Sequence, residues 1–429
     1  MNLNHTDPPE IEPVATPTLV RNAPPDVPST PSRTLPFGPH FDVAARSLVG
    51  NQLPVRSRND DNFLLIASDG RAVWLQGNEE VEAVCPDWPS GHLRLALFDG
   101  LGGHGLGNQV AQATAAALAK TLPFADVASM IVSMDALHLR LRGEFAARHA
   151  AGESRFLPGT TVIVLDIDPT GRAMLYHVGD SRLYRIGPAD AALPREIGYS
   201  AVDDAGNAVE QLTIDHVDAT ETTLAGLLSR EQWRIQTQLG SGARISQAFV
   251  FGRSAMGEAS AGAAQNGQSG EDSGARLRHL LAHELPADLA PLADCREVEF
   301  RHDSVYLLAT DGWWSTPYAE EWFARWPKHL LKWDQTLTGA LDDLAIDLLL
   351  APPPELRSDN ATAVAIRWRV DAPRVSAMPL AEAEACTDAT LGPPTVSGTT
   401  DSKAAQTGRA EIIAAATLLP NFRGNDATQ

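Results

Sequence analysis

Short apolar runs, some of them joined by turns too tight to hold a helix, constrain this chain more than any other feature. They read "NFLLIAS", "LRLALF", "TTVIVLDI", "AMLYHV", "RLYRI", "SVYLLAT" and "ATAVAIRWRV". Aliphatic and β-branched runs of this kind are strand signals. The turns "DPTGRA" and "GDSR" connect neighbouring strands directly. A doubly wound parallel sheet alternates strand with helix, so this order favours antiparallel sheets. Helices are also expected. Val127, Met130, Ile131, Met134, Leu137, Leu141 and Phe145 recur at steps of three and four, with Asp126 placed to cap the start. Leu337, Leu341, Leu344 and Leu348 form a second stripe, with Asp342, Asp343 and Asp347 on the opposite side. Both stripes read as faces packed on a core, not as cofactor contacts.

These elements fall in one block, residues 37–370. Residues 1–36 are rich in Pro, Thr and acid, a composition that reads as a flexible arm. Residues 371–429 read as a flexible tail, mildly helical at "GRAEIIAAATLL", and the Gly-, Ala- and Ser-rich 254–276 as a mobile insertion. The formal charge of −20 argues against a nucleic-acid binder, which needs clustered Lys and Arg. It argues equally against a basic membrane-surface protein. Cys85, Cys295 and Cys386 are an odd count without a C-x-x-C pair, so neither a disulfide framework nor a zinc knuckle is expected. There is no visible secretory signal and no apolar run near the ~20 residues that span a bilayer. The expectation is a cytoplasmic, monomeric protein with no membrane partner.

Three aspartates stand where apolar strands stop or start. Asp99 ends "LALF", Asp311 ends "SVYLLAT", and Asp359 precedes "ATAVAIRW". If the last strand runs antiparallel to the other two, all three carboxylates meet at one end of the sheets. Asp60 and Asp61, ahead of "NFLLIAS", can join them, and Asp180 in "HVGDSRLYRI" is also at a strand end. Clustered carboxylates repel unless a cation compensates them. Oxygen donors without Cys or a His pair suit Mg²⁺ or Mn²⁺ better than Zn²⁺. The stretch "DGLGGHG" also contains G-x-G-x-x-G, the dinucleotide fingerprint. That signal is weak alone, and a carboxylate facing a pyrophosphate would be repulsive. Gly100, lacking a side chain, instead leaves its carbonyl able to reach a metal, while Gly102 and Gly103 let the loop turn tightly.

Seven stretches, in order, resemble the motifs of one family, the metal-dependent protein phosphatases of the 2C type. They are "RSRNDDNF" (56–63), "LFDGLGGHGLG" (97–107), "GTTVIVLDI" (159–167), "HVGDSRLYRI" (177–186), "LTIDH" (212–216), "LLATDGWWS" (307–315) and "SDNATAVAI" (358–366). The GGH form of the second is similar to bacterial members. The resemblance implies an α+β fold, a four-layer α-β-β-α sandwich with two packed antiparallel sheets. It implies two Mn²⁺ or Mg²⁺ ions, with a labile third as an open alternative. Asp99 resembles the bridging carboxylate and the Gly100 carbonyl a ligand of the second ion. Asp311 and Asp359 resemble ligands of the first ion, and Asp60 and Asp61 the acids that hold the second. Arg56 matches the arginine that grips the substrate phosphate. Asp180 either supports the sheet end or touches a third ion. Two ions about 3.5–4 Å apart lower the pKa of a shared water, whose hydroxide attacks phosphorus in line. The implied substrates are phosphoserine and phosphothreonine on proteins, within a Ser/Thr kinase pathway.

Departures from the family pattern matter. Animal members carry a histidine after the Asp-Gly; Leu101 stands here, as in bacterial-type members, so a water is the expected proton donor. His104 is expected to hydrogen-bond the loop. Asp60 replaces the usual Glu or Gln and is shorter. Trp313 and Trp314 are bulky for their place and are expected to pack under the metal loop. "ISQAFVFG" matches poorly, and 200–285 corresponds to the variable flap, so substrate choice does not transfer. Two rival readings stand beside this one. Cys295 and Arg301 satisfy the C-x5-R of cysteine phosphatases, but the segment between them holds two glutamates, no glycine, and alternates like a strand. A catalytically weak or inactive pseudophosphatase that binds phosphoproteins is the alternative function.

Overall fold

The computed structural model describes residues 35–52, 58–101, 106–189, 201–237, 243–253 and 276–369. Sixteen strands lie among them. One sheet has the order β1 (Phe41–Leu48), β16 (Ala361–Trp368), β15 (Val305–Ala309), β9 (Arg182–Pro188), β11 (Asn207–Gln211), β10 (Ala201–Val202). The other runs β14 (Cys295–Val298), β8 (Ala173–Val178), β7 (Val162–Ile167), β5 (Leu93–Leu101), β2 (Asp61–Ile66), β3 (Arg71–Gln76), β4 (Glu79–Val84), with β6 (Gly159–Thr160) on β5. A small pair, β12 (Gln247–Ala248) and β13 (Gly252–Arg253), stands apart. Every described pairing is antiparallel.

The apolar runs are unbroken because the central strands are buried on both faces. Phe63 and Leu65 of β2, Leu95 and Leu97 of β5, and Val364 and Ile366 of β16 meet between the sheets. Their neighbours face outward and are covered by helices. Leu64, Ile66, Ala96 and Phe98 lie under α1 (Gly107–Leu118) and α2 (Val127–Ala150). Ala361, Ala363 and Ala365 lie under α7 (Leu337–Leu350), with the short α5 (Ala319–Phe323) and α6 (Trp326–Leu330) beside it. Two helices of the flap, α3 (Asp218–Leu224) and α4 (Arg230–Gln236), share a smaller core around Trp233 and Leu289. The result is the expected α+β sandwich of four layers, two antiparallel sheets packed face to face between helices. Each fully buried Val, Leu or Ile contributes roughly 1.5–3 kcal/mol.

Both helical stripes point inward as expected. Asp126 caps α2, accepting from Ser129 N–H, and Ser129 answers in a capping box. One detail differs: Asp342 on α7 does not simply face solvent, because Arg46 of β1 reaches over and forms a two-pronged pair with it. The charged breaks in the strand runs are also paired. Arg94 on β5 and Asp166 on β7 face each other in register, with Arg94 Nε 2.6 Å from Asp166 Oδ1. The same guanidinium donates to the carbonyls of Leu118, Thr121 and Leu122, placing a cation at the C-terminal end of α1.

One connection departs from expectation. "GDSR" is not a hairpin within one sheet, because β8 and β9 belong to different sheets. That crossing sets Asp180 between the sheets. Among the described residues no helix is long and apolar enough to cross a membrane. Of the expected segments, 1–34, 254–275 and 370–429 lie outside the described residues.

Candidate metal centre

The acids gather at one end of the sandwich, and the register explains why. Asp61 opens β2 and lies opposite Asp99 on β5. In the other sheet β15 runs antiparallel to β16, so Asp311 just past β15 meets Asp359 just before β16. The β8–β9 crossing adds Asp180. A cavity of about 390 Å³ opens there, and Asp60, Asp99, Gly100, Asp180, Asp311 and Asp359 all line it. Asp61 sits just behind, buried, accepting from Thr310 Oγ1 at 2.9 Å.

Backbone crowding holds this end together. The Asp60 N–H donates to Asn360 Oδ1 at 2.9 Å, tying one sheet to the other. Asn51, fully buried, donates to the carbonyls of Gly312 and Arg357 and accepts from Asp359 N–H. Two glycines are required by this proximity. A Cβ on Gly312 would lie 1.9 Å from the Asn360 carbonyl oxygen, and one on Gly100 only 2.5 Å from that of Asp60. Trp313 and Trp314 pack beneath the Asp311 loop as expected. The Arg182 guanidinium lies 3.3 Å from the Trp314 ring centre and is held by Asp215, which accepts from its Nη2 at 2.6 Å. The aspartate of "LTIDH" therefore anchors the floor of the site.

Burial and mutual repulsion disfavour ionisation across the cluster. Burial, then the charges of Asp359 and Asp311, push Asp61 up to about 8, against the Thr310 hydrogen bond. Burial, then Asp311 and Asp215, push Asp180 to about 8, against Arg182 and Arg357. Asp99 is pushed well above the carboxylate range by burial, then by Asp61, Asp311, Asp359 and Asp180. Asp180 Oδ1 is buried with no hydrogen-bond partner. An orphaned carboxylate oxygen in a concave cluster of acids is what a hard cation would satisfy.

Two arginines partly compensate the acids. Arg58 Nε donates to Asp60 Oδ1 at 2.6 Å. Arg357 Nη1 donates to Asp311 Oδ2 at 3.0 Å, with its Nε 3.7 Å from Asp359 Oδ2. Arg244 lines the same cavity and lies 3.6 Å from Asp218. Among the described residues six carboxylates (Asp60, Asp61, Asp99, Asp180, Asp311, Asp359) outnumber the guanidinia of Arg58, Arg357 and Arg244 at this cavity. Divalent cations would offset that excess of acid. The donor set is all oxygen and suits Mn²⁺ or Mg²⁺.

Arg357 and Asn51 were not legible as site residues. Neither matches a catalytic residue type of the motifs, and each arrives through a loop contact. Arg56 and His104 lie outside the described residues. Cys295 is buried on edge strand β14, and burial pushes its thiol up. Arg301 pairs with Asp303 instead. The C-x5-R spacing is therefore not a phosphate loop.

A second cluster, His177, His216 and Asp294, is close enough to share one ion. The hydrogen bonds argue against that. Gly179 N–H donates to His216 Nδ1, so the proton of neutral His216 sits on Nε2 and points at Asp294 Oδ2, 3.0 Å away. A protonated nitrogen offers no lone pair to a metal. The stacked imidazoles instead brace the turn that carries Asp180, with His177 Nε2 against the Ser181 carbonyl at 2.9 Å.

No protein-family model matches the chain, and a search of curated proteins finds no match. Among solved structures it is similar to several serine/threonine phosphatases. That of S. agalactiae is 17% identical over 76% of this chain and 99% of its own, with a TM-score of 0.46. Stp1 of Staphylococcus aureus is 14% identical over 78% and 98%, at 0.46. The PstP catalytic domain, in complex with two manganese ions, is 20% identical over 77% and 98%, at 0.42. At such identities and scores, similarity carries no functional argument, and the chemistry has to come from the site's own residues.

Proposed function

We propose that this chain is a bacterial-type member of the 2C family, a metal-dependent protein phosphatase that hydrolyses phosphoserine and phosphothreonine on proteins. The single observation that carries the reading is the excess of carboxylates over guanidinia at the cavity among the described residues, with the Asp180 side chain lining it and its Oδ1 buried and unpartnered. The motif order supports the same class.

When bound, two Mn²⁺ or Mg²⁺ ions would supply Lewis acidity and a water acidified towards neutral pH. Asp99, central to the cluster, is the residue to bridge them. Asp311 and Asp359 would hold one ion, and Asp60, Asp61 and the Gly100 carbonyl the other. Asp180 fits a third, labile position. Arg56 would orient the phosphoryl oxygens with its planar fork. Leu101 beside the acids offers no proton, so the leaving alkoxide takes one from solvent in the open cavity. Phosphorylated proteins of a Ser/Thr kinase pathway are the substrates we infer, and a cytoplasmic monomer the working form.

One observation favours the weaker alternative, a pseudophosphatase. Arg58 already occupies Asp60, which weakens a short acid as a ligand of the second ion. Purified chain with p-nitrophenyl phosphate and MnCl₂ decides between them. Turnover that EDTA abolishes and Asp311→Ala removes supports the enzyme. No turnover by the unmodified chain, with retained phosphopeptide binding, supports the binding module.

A further inference from the structure

We propose that Arg357 is a tethered stand-in cation, seated on Asp311 and Asp359 until a divalent ion replaces it and then turned towards the substrate phosphate. The inference rests on reading the cavity as a divalent-cation phosphatase centre. Arg357 bridges two acids from different loops, with Nη1 3.0 Å from Asp311 and Nε 3.7 Å from Asp359. Those are the two carboxylates that the motif resemblance gives to one shared ion. A guanidinium at that point supplies charge where the ion's charge belongs.

The backbone and side chain of Arg357 are held differently. Its N–H donates to the Ser315 carbonyl at 2.9 Å, and its carbonyl accepts from buried Asn51 at 2.9 Å. The side chain, by contrast, is 64% exposed and lies on the cavity wall. It can leave the acids without moving the loop. A monovalent cation sharing two carboxylates with a divalent one is repelled by it. The displaced fork stays tethered at the cavity rim, and two parallel N–H donors match the oxygens of a phosphoryl group.

Two effects of opposite sign follow for one substitution. Removing the guanidinium removes a competitor for the ion and a donor for the phosphate. The test is calorimetry on the full chain, stripped with EDTA and dialysed, titrated first with MnCl₂ alone and then, Mn²⁺-loaded, with inorganic phosphate. Arg357→Ala should bind Mn²⁺ about three- to fivefold more tightly and phosphate about three- to fivefold more weakly, the size expected of one exposed charged contact. Arg357→Lys, which keeps the charge but not the fork, should hold Mn²⁺ affinity near the original while losing phosphate affinity. Thermal unfolding of both variants checks that the fold is kept. Mn²⁺ binding that is unchanged or weaker in Arg357→Ala overturns the proposal, as does unchanged phosphate binding. If the paired shifts occur and no phosphate ester is turned over, the inference stands and the phosphatase reading fails. If neither chain binds Mn²⁺, both fail.

Discussion

Asp61 on β2 and Asp99 on β5 stand directly opposite one another in the antiparallel register, two carboxylates on one face of neighbouring strands. Like charges so placed destabilise a strand pair. The same end also receives Asp311 and Asp359, and a shared cation would convert the repulsion into ligation.

Metal removal should therefore cost stability in a pH-dependent way. Asp61 and Asp180, ordinarily near 3.8, are pushed to about 8 in the metal-free fold. Between those values the unfolded chain has already released protons that the folded chain retains, so stability falls as pH rises. It levels off below the lower value and above the upper one. Bound cations would hold the acids ionised and remove this dependence. The difference in melting temperature between Mn²⁺-loaded and EDTA-treated protein should widen from pH 5 to pH 8. A gap that stays constant would contradict the shared-cation account.

Activity should collapse when the central acids are neutralised. Asp99→Asn and Asp311→Ala should each lower Mn²⁺-dependent hydrolysis of p-nitrophenyl phosphate by about 100-fold or more, since ligand loss misplaces the ions. Circular dichroism should show the fold intact in both. Near-normal turnover in either variant would mean that the cavity is not the reaction centre.

Asn51 should matter to stability more than its surface-loop sequence context suggests. It is fully buried and serves Gly312, Arg357 and Asp359 at once. Asn51→Ala removes all three side-chain hydrogen bonds at once and should cost roughly 2–4 kcal/mol in urea unfolding. A loss below about 0.5 kcal/mol, the range of ordinary surface changes, would refute the role of this tie.

Gly312→Ala is expected to be severe for a steric reason. The added methyl would sit 1.9 Å from the Asn360 carbonyl oxygen, and backbone on both sides has to shift. Asp311 and Asp359 are the neighbours that move. Mn²⁺ affinity measured by calorimetry should drop together with the melting temperature; an unaltered affinity would show that the two loops are not in contact as described.

Cys295→Ala should leave Mn²⁺-dependent turnover within about twofold, because the thiol is buried on an edge strand with its ionisation suppressed. Abolished activity in a well-folded variant would revive thiolate chemistry.

Much of the site was legible because strand ends are local features. Asp99, Asp311 and Asp359 follow or precede apolar runs, and antiparallel pairing alone brings such ends together. The four layers follow from the same runs, since strands covered on both faces have no polar alternation to lose. The link through "GDSR" was harder. A short turn reads the same whether it returns within a sheet or crosses to the next, and only packing of both sheets sets Asp180 facing the cavity. Arg357 and Arg58 illustrate a second gap. Each is an ordinary surface arginine in sequence; Arg58 pairs locally with Asp60, whereas Arg357 reaches Asp311, 46 positions away, only because the chain folds there.

The chain's own order of residues determined the elements, the antiparallel habit and the acids that carry charge, because strand propensity, turn chemistry and ionisation depend on neighbours close along the chain. Tertiary structure alone decided that acids from both sheets would gather at one cavity where, among the described residues, carboxylates outnumber guanidinia. That tally is a property of distance in space, where Coulomb energies and burial act, and residues some 300 positions apart contribute to it equally.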